Sequence, residues 1–272
     1  MAQTLIIEAG RTERQYWRDL WKFRELFYFL AWRDFLIRYK QTVVGIAWSL
    51  IRPFLTMLVL TMVMKVGKLP AGGVPAPLFV FCAMLPWQFF STAMSESGNS
   101  LVNNANLVSK IYFPRLVIPA SSVIVSFVDF LIAAIFLIAL MFYCRFAPPP
   151  QIVFVPLFVL LVFAVSFGAG LWIAALMVEY RDFRFIVPFV VQFGLYAAPV
   201  LTMTSHVSEK WRLLYSLNPT VGIIDGFRWC ILGGENLIYW PALALSALVT
   251  ALLIFSGLWY FRKTERTFAD MI

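Results

Sequence analysis

Two ionisable residues of this 272-residue chain, Arg52 and Asp129, fall inside long apolar stretches. A charge held at that depth away from water is costly, so each is a candidate for function. Arg52 lies near one end of its stretch and precedes Pro53, which leaves two roles open. Its side chain can snorkel to the membrane surface, or it can contact an anionic headgroup or pyrophosphate. Asp129 sits mid-stretch, and a lone acid makes a poor proton relay, so an interhelical polar contact is expected there. Other reactive chemistry is sparse. The chain has no GxxxxGK[ST] phosphate loop, no HExxH and no GxSxG. Cys82, Cys144 and Cys230 have neither CxxC spacing nor a histidine nearby, and the sole histidine, His206, falls in a polar connection where a solvated role is expected. No metal or catalytic centre is expected, and active transport by such a chain would need an outside energy source.

The elements that must position these residues are membrane helices. Hydrophobic residues make up 61% and charged ones 13%, and the mean hydropathy is +0.82, well above a soluble domain. The expected fold class is an all-α integral membrane protein with six spans: about Val43–Met64, Ala76–Met94, Leu116–Tyr143, Ile152–Val178, Phe185–Met203 and Trp240–Phe261. Residues 1–40 form an N-terminal segment, 41–262 the transmembrane domain and 263–272 a tail. The first fifteen residues carry Glu8, Arg11, Glu13 and Arg14 without an apolar core, so no cleavable signal is expected and the amino terminus should stay in the cytoplasm. With that orientation fifteen of the 22 Lys and Arg lie on the cytoplasmic side, six lie outside and Arg52 lies within the first span. The net charge of +8 therefore reports the positive-inside bias, not nucleic-acid binding.

Ahead of the first span, Leu20, Phe23, Phe27 and Leu30 recur at helical spacing, with Arg18, Lys22, Glu25 and Arg33 on another stripe. An amphipathic helix in the membrane interface is predicted, with Trp17, Trp21, Tyr28, Trp32 and Phe35 at headgroup level; anchoring and substrate access are both compatible with it. The connection Ser95–Arg115 is polar, with a short apolar pattern that ends at Pro114, and predicts a small cytoplasmic helix. Glu179–Arg184 has room for a turn only. Both are surfaces for a cytoplasmic partner or plain solvated loops. On the outer side, Pro219–Leu232 is apolar but too short to span, and Gly222, Asp225, Gly226 and Arg228 interrupt it. A re-entrant or interfacial hairpin before the last span is expected.

Aromatic residues make up 17% of the chain, and most must serve the interfacial belt and packing. Trp48, Phe54, Trp87, Phe89, Phe90 and Tyr196 fall where an interior path could pass, with Gln88, Ser91 and Gln192 as polar neighbours. Sugar rings stack on such faces while their hydroxyls bond to the polar groups. Small residues four apart, Ala164 with Gly168 and Gly170 with Ala174, permit close helix contact.

The run Arg38-Tyr39-Lys40-Gln41-Thr42-Val43 through Trp48 to Arg52-Pro53 resembles the start of the first span in ABC-2 type permeases of bacterial polysaccharide exporters. Asn106-Leu107-Val108-Ser109-Lys110-Ile111-Tyr112-Phe113-Pro114-Arg115 resembles the first coupling segment of that family. Tyr215–Pro219 with Asp225–Arg228 resembles its extracytoplasmic gate hairpin, and Glu265–Ile272 its ending. The Lys-Gln-Thr-Val form is more similar to O-antigen or teichoic acid exporters than to capsule exporters, and O-antigen is favoured.

The resemblance implies a homodimeric inner-membrane channel with two copies of a separate ABC ATPase, which would bind the ATP and Mg; this chain needs no cofactor of its own. It implies a polyprenyl-diphosphate-linked glycan as cargo, moved from cytoplasm to periplasm. On that basis Arg38, Lys40 and Arg52 would draw the lipid headgroup, and the translocation path would use Trp48, Phe54, Trp87, Gln88, Phe89, Phe90, Gln192 and Tyr196. The gate would use Asn218, Pro219, Asp225 and Arg228. Docking of the ATPase would fall to Asn106, Ser109, Lys110, Tyr112, Arg115, Glu179, Arg181 and Asp182. Alternatives are an ABC-2 permease for teichoic acid, capsule or another lipid-linked cargo, or an ion-coupled carrier, which would work without any ATPase.

Overall fold

Helices supply all the regular structure among the described residues, as the continuous apolar runs require. The computed structural model describes residues 13–40, 45–234 and 238–271, with side chains for 16–40, 50–234, 238–268 and 271. The chain begins with α1 (Glu13–Lys22) and α2 (Arg24–Lys40), divided by a turn at Phe23, and continues through α3 (Gly45–Val66), α4 (Ala76–Asn103) and α5 (Ala105–Lys110). Next come α6 (Val117–Tyr143), α7 (Val155–Glu179), α8 (Phe183–Ala197) and α9 (Glu209–Tyr215). The last elements are α10 (Pro219–Leu232), α11 (Trp240–Thr264) and α12 (Phe268–Met271).

Four segments are long and apolar enough to cross a membrane: Ala76–Asn103, Val117–Tyr143, Pro150–Glu179 and Trp240–Thr267. At 22 residues α3 is about 33 Å long, enough for a bilayer core, although the start of the expected first span, Val43, lies outside the described residues. The fifth expected span differs. Helix α8 has 15 residues and stops at Ala197, and residues 198–203 form turns instead. The second expected span runs further than its apolar stretch, because α4 stays helical through Glu96, Ser100 and Asn103.

The bundle is organised around α4, which is mostly buried and packs between α6 and α7, with α10 and α3 also against it. Because protein rather than lipid surrounds α4, it can be the most polar of the four candidate spans. Several buried serines on these helices bond within their own helix: Ser100 Oγ donates to Ser97 O, Ser121 Oγ to Ile118 O and Ser166 Oγ to Val162 O. Close approach on α7 rests on its small residues. A Cβ at Gly168 would come within 2.9 Å of the α11 backbone, and one at Gly170 within 2.7 Å of Ser97 on α4.

A second apolar core closes the end of the bundle that holds both described termini. There Leu30, Val108, Phe113, Leu116, Phe261 and Phe268 are buried together. Leu20, Phe23 and Phe27 pack on the same cluster, so the stripe on α1 and α2 faces protein, while Trp21, Tyr28 and Phe29 stay exposed.

Candidate functional site

Helix α2 lies alongside the first half of α6. Leu30 packs with Leu116 and Val117 near the start of α6, while Arg38, two turns further along α2, reaches Asp129. Arg38 is held by two carboxylates from two helices: Nη1 donates to Asp129 Oδ2 on α6, and Nη2 donates to Glu96 Oε1 on α4 at 2.6 Å. The Tyr39 hydroxyl donates to the other oxygen of Asp129. Asp129 thus makes the interhelical polar contact expected of it. One helical turn before Arg38 on α2, Arg33 donates to Asp34 at 2.7 Å and to Asn104 Oδ1, at the α4–α5 junction, at 2.7 Å.

Between these groups lies a cavity of about 520 Å³, lined by Arg33, Arg38, Glu96, Ser100, Asn104 and Ser122 among others. Both guanidinium groups that line the cleft are engaged by carboxylates, Arg33 by Asp34 and Arg38 by Glu96 and Asp129. The Glu96 side chain is half exposed. Of the other headgroup residues expected from sequence, Lys40 is exposed at the end of α2, and Arg52 is exposed on α3 with its carbonyl accepting from Thr56. Arg33 and Glu96 were not singled out for this role from sequence. A basic stripe on α2 and an acid two residues past an expected span were the available signals.

The short helix α5 presents Asn106, Ser109 and Lys110 to the exterior, followed by exposed Tyr112. Arg181 and Asp182 are exposed in the α7–α8 turn. Two further residues of the expected docking set point elsewhere: Glu179 accepts from the Tyr260 hydroxyl at 2.5 Å, and Arg115 engages Glu265. Tyr16 of α1 is also beside Glu265, and burial together with that carboxylate raises its phenol above the ordinary tyrosine value.

At the opposite end, α10 is a buried helix with clear stops. Asn218 Oδ1 caps it by accepting from Thr220 N at 3.1 Å, Pro219 occupies the first turn, and Gly233 ends it at φ +74°. A Cβ at Gly226 would fall 1.9 Å from the Phe158 ring, so the ring of Phe158 on α7 packs directly on the α10 backbone there. Arg228 is fully buried. Its guanidinium lies 3.8 Å from the centroid of the Phe79 ring and donates to Pro199 O and Val200 O, each at 2.5 Å, and to Thr202 O at 3.0 Å. It therefore ties α10 to the turns that follow α8. Asp225, one turn earlier, is 1% exposed and forms no ion pair with Arg228.

The residues expected along a path are scattered among different environments. Trp87 is buried against Gly194 of α8 and Phe90, and Phe89 is buried in an aromatic cluster with Phe127, Phe130 and Phe163. Phe54 meets Phe136 edge-on, and Gln88 is half-buried. Gln192 and Tyr196 lie exposed on α8, and the side chain of Trp48 lies outside the described residues.

The pattern of the family described as ABC-2 type transporter matches residues 25–232, which contain the cavity, α5 and α10. The chain is 27% identical over 259 residues to the O-antigen export system permease protein RfbA of Myxococcus xanthus, covering 94% of this chain and 98% of that protein. It is 26% identical over 245 residues to the O-antigen export system permease protein RfbA of Klebsiella pneumoniae, covering 88% of this chain and 92% of the relative. A match over most of its length shows that the chain belongs to the ABC-2 type transporter family.

Proposed function

We propose that this chain is the membrane-spanning permease of an ATP-driven exporter that moves polyprenyl-diphosphate-linked O-antigen polysaccharide from cytoplasm to periplasm. It crosses the inner membrane six times with both termini inside, and α10 is the re-entrant element before the last span. Two copies form the channel, and two copies of a separate ABC ATPase dock on α5 and the α7–α8 turn. The ATPase binds ATP and Mg and supplies the energy.

The observation that carries the cargo assignment is the cavity with Arg33 and Arg38 beside α2. A lipid diphosphate brings several anionic oxygens at headgroup depth, and a guanidinium pair matches them better than lysines do. Arriving diphosphate takes Arg38 from Glu96 and Asp129, which loosens the end of α2 from α4 and leaves Tyr39 as its polar hold on Asp129 of α6. Lys40 and Arg52 raise the local positive potential on the approach. The names of the relatives support a glycan cargo. ATP binding then moves the docking segments, and the glycan passes along aromatic and polar side chains toward α10.

The test is deletion of the gene followed by staining for surface glycan and extraction of lipid-linked intermediates. Loss of O-antigen at the surface with lipid-linked glycan accumulating inside is expected. Normal surface glycan with no accumulation overturns the reading, and loss of teichoic acid or capsule instead reassigns the cargo.

A further inference from the structure

After α11 the chain turns back instead of running free. A 3-10 turn over Glu265–Thr267 leads into α12, which packs on α5 and the end of α7. Phe268 is 0% exposed and meets Phe261 edge-on at 5.3 Å, in the same apolar cluster as Val108 of α5 and Phe113 just after it. Arg115 donates to Glu265 twice, once from its backbone and once from its side chain. Glu265 Oε1 accepts the backbone N–H of Arg115 at 2.7 Å, and the Arg115 guanidinium donates to the backbone carbonyl of Glu265. Tyr16 adds the first helix to this point, with Arg262 stacked 4.6 Å from its ring centroid. Segments 150 residues apart in sequence are thereby fixed to one another.

This joint sits where the chain needs one. A six-residue helix has too few internal hydrogen bonds to be stiff alone, and α5 buries only Val108 of its own residues. Residues 104–116 would absorb a push on α5 as loop motion unless something outside the loop braced them. Arg115 is the last residue but one before α6, and Glu265 follows the last residue of α11. A brace between them ties the connection from α5 to α6 to the end of α11.

We infer that the Glu265–Arg115 clamp, with Phe268 wedged beneath α5, transmits movement of the docked ATPase from α5 to α6 and α11. Glu265 and Arg115 are positioning residues that touch neither ATPase nor cargo. The inference rests on the permease reading above, in which α5 is the docking segment.

The experiment uses the full chain with its ATPase in proteoliposomes supplied with polyprenyl-diphosphate glycan, and reads ATP hydrolysed and glycan translocated in the same sample. Glu265→Ala is expected to retain ATPase binding and hydrolysis while glycan moved per ATP falls about tenfold. Glu265→Gln, whose amide oxygen still accepts from the Arg115 N–H, is expected to recover most of the ratio. A wild-type ratio in Glu265→Ala overturns the inference, as does a Glu265→Gln ratio as low as that of Glu265→Ala. Should Glu265→Ala fail to fold, spin labels in Ile111→Cys/Arg266→Cys on a Cys144→Ser background decide it, with ATPase co-purification confirming that the labelled protein still docks. The distance between α5 and the tail is expected to stay the same in nucleotide-free and ATP-trapped states, and a change in it overturns the inference. Absence of transport by the wild-type pair would instead fail the permease reading itself.

Discussion

Replacing Arg228 by Met removes a buried guanidinium while keeping a long apolar side chain against Phe79. Of its carbonyl partners, Thr202 belongs to an exposed residue and can turn to water, whereas Pro199 and Val200 are buried. The Phe79 carbonyl, accepting at 3.4 Å, lies inside α4 and keeps its place in that helix. Two carbonyls are therefore orphaned, at about 1–3 kcal/mol each, or about 2–6 kcal/mol together. Relief of the buried charge returns part of this, leaving a net cost on the order of 3 kcal/mol. That is about a 100-fold increase in the local opening equilibrium of residues 198–203. Hydrogen exchange of the purified protein in nanodiscs measures it at Val200, whose N–H donates to Ala198 O at 2.7 Å, and at its neighbours. Exchange there should accelerate about 100-fold while the α6 amides stay unchanged. Acceleration below about threefold would refute the view that Arg228 holds these turns on α10.

Three further outcomes are expected. Asp129→Asn weakens the hold on Arg38, where both side chains are about a quarter exposed; at about 1–2 kcal/mol, exchange at the end of α2 should rise roughly tenfold, and an unchanged rate would show that Asp129 does not retain α2. Arg52→Ala should lower export with a normal protein level, and unchanged surface glycan would remove Arg52 from cargo approach. Lys110→Glu should weaken co-purification of the ATPase, and intact binding would take that residue out of the docking surface.

Local features were legible wherever a single stretch of chain determined them. The spacing of Leu20, Phe23, Phe27 and Leu30 marked the face that packs on the terminal core, and the bounds of the apolar run Pro219–Leu232 are those of α10. What could not be read was pairing between distant positions. Helix α8 stops at Ala197 although apolar residues continue, because Pro199 follows and the carbonyls beyond it are taken by Arg228 from another helix. Helix α4 continues past its apolar stretch because Glu96, Ser100 and Asn104 at its end face the cavity beside α2 rather than lipid. Arg38 was legible as a basic residue before a span. That its partners are Glu96 and Asp129, 58 and 91 residues away, was not.

Reconstitution tests the central claim most directly. Proteoliposomes holding this permease with its ATPase, loaded with a defined polyprenyl-diphosphate glycan, are assayed for glycan reaching the far leaflet with and without ATP. The account predicts movement that requires the ATPase, ATP and the diphosphate-linked carrier together. Movement without the ATPase, or none with all three components present, would contradict it.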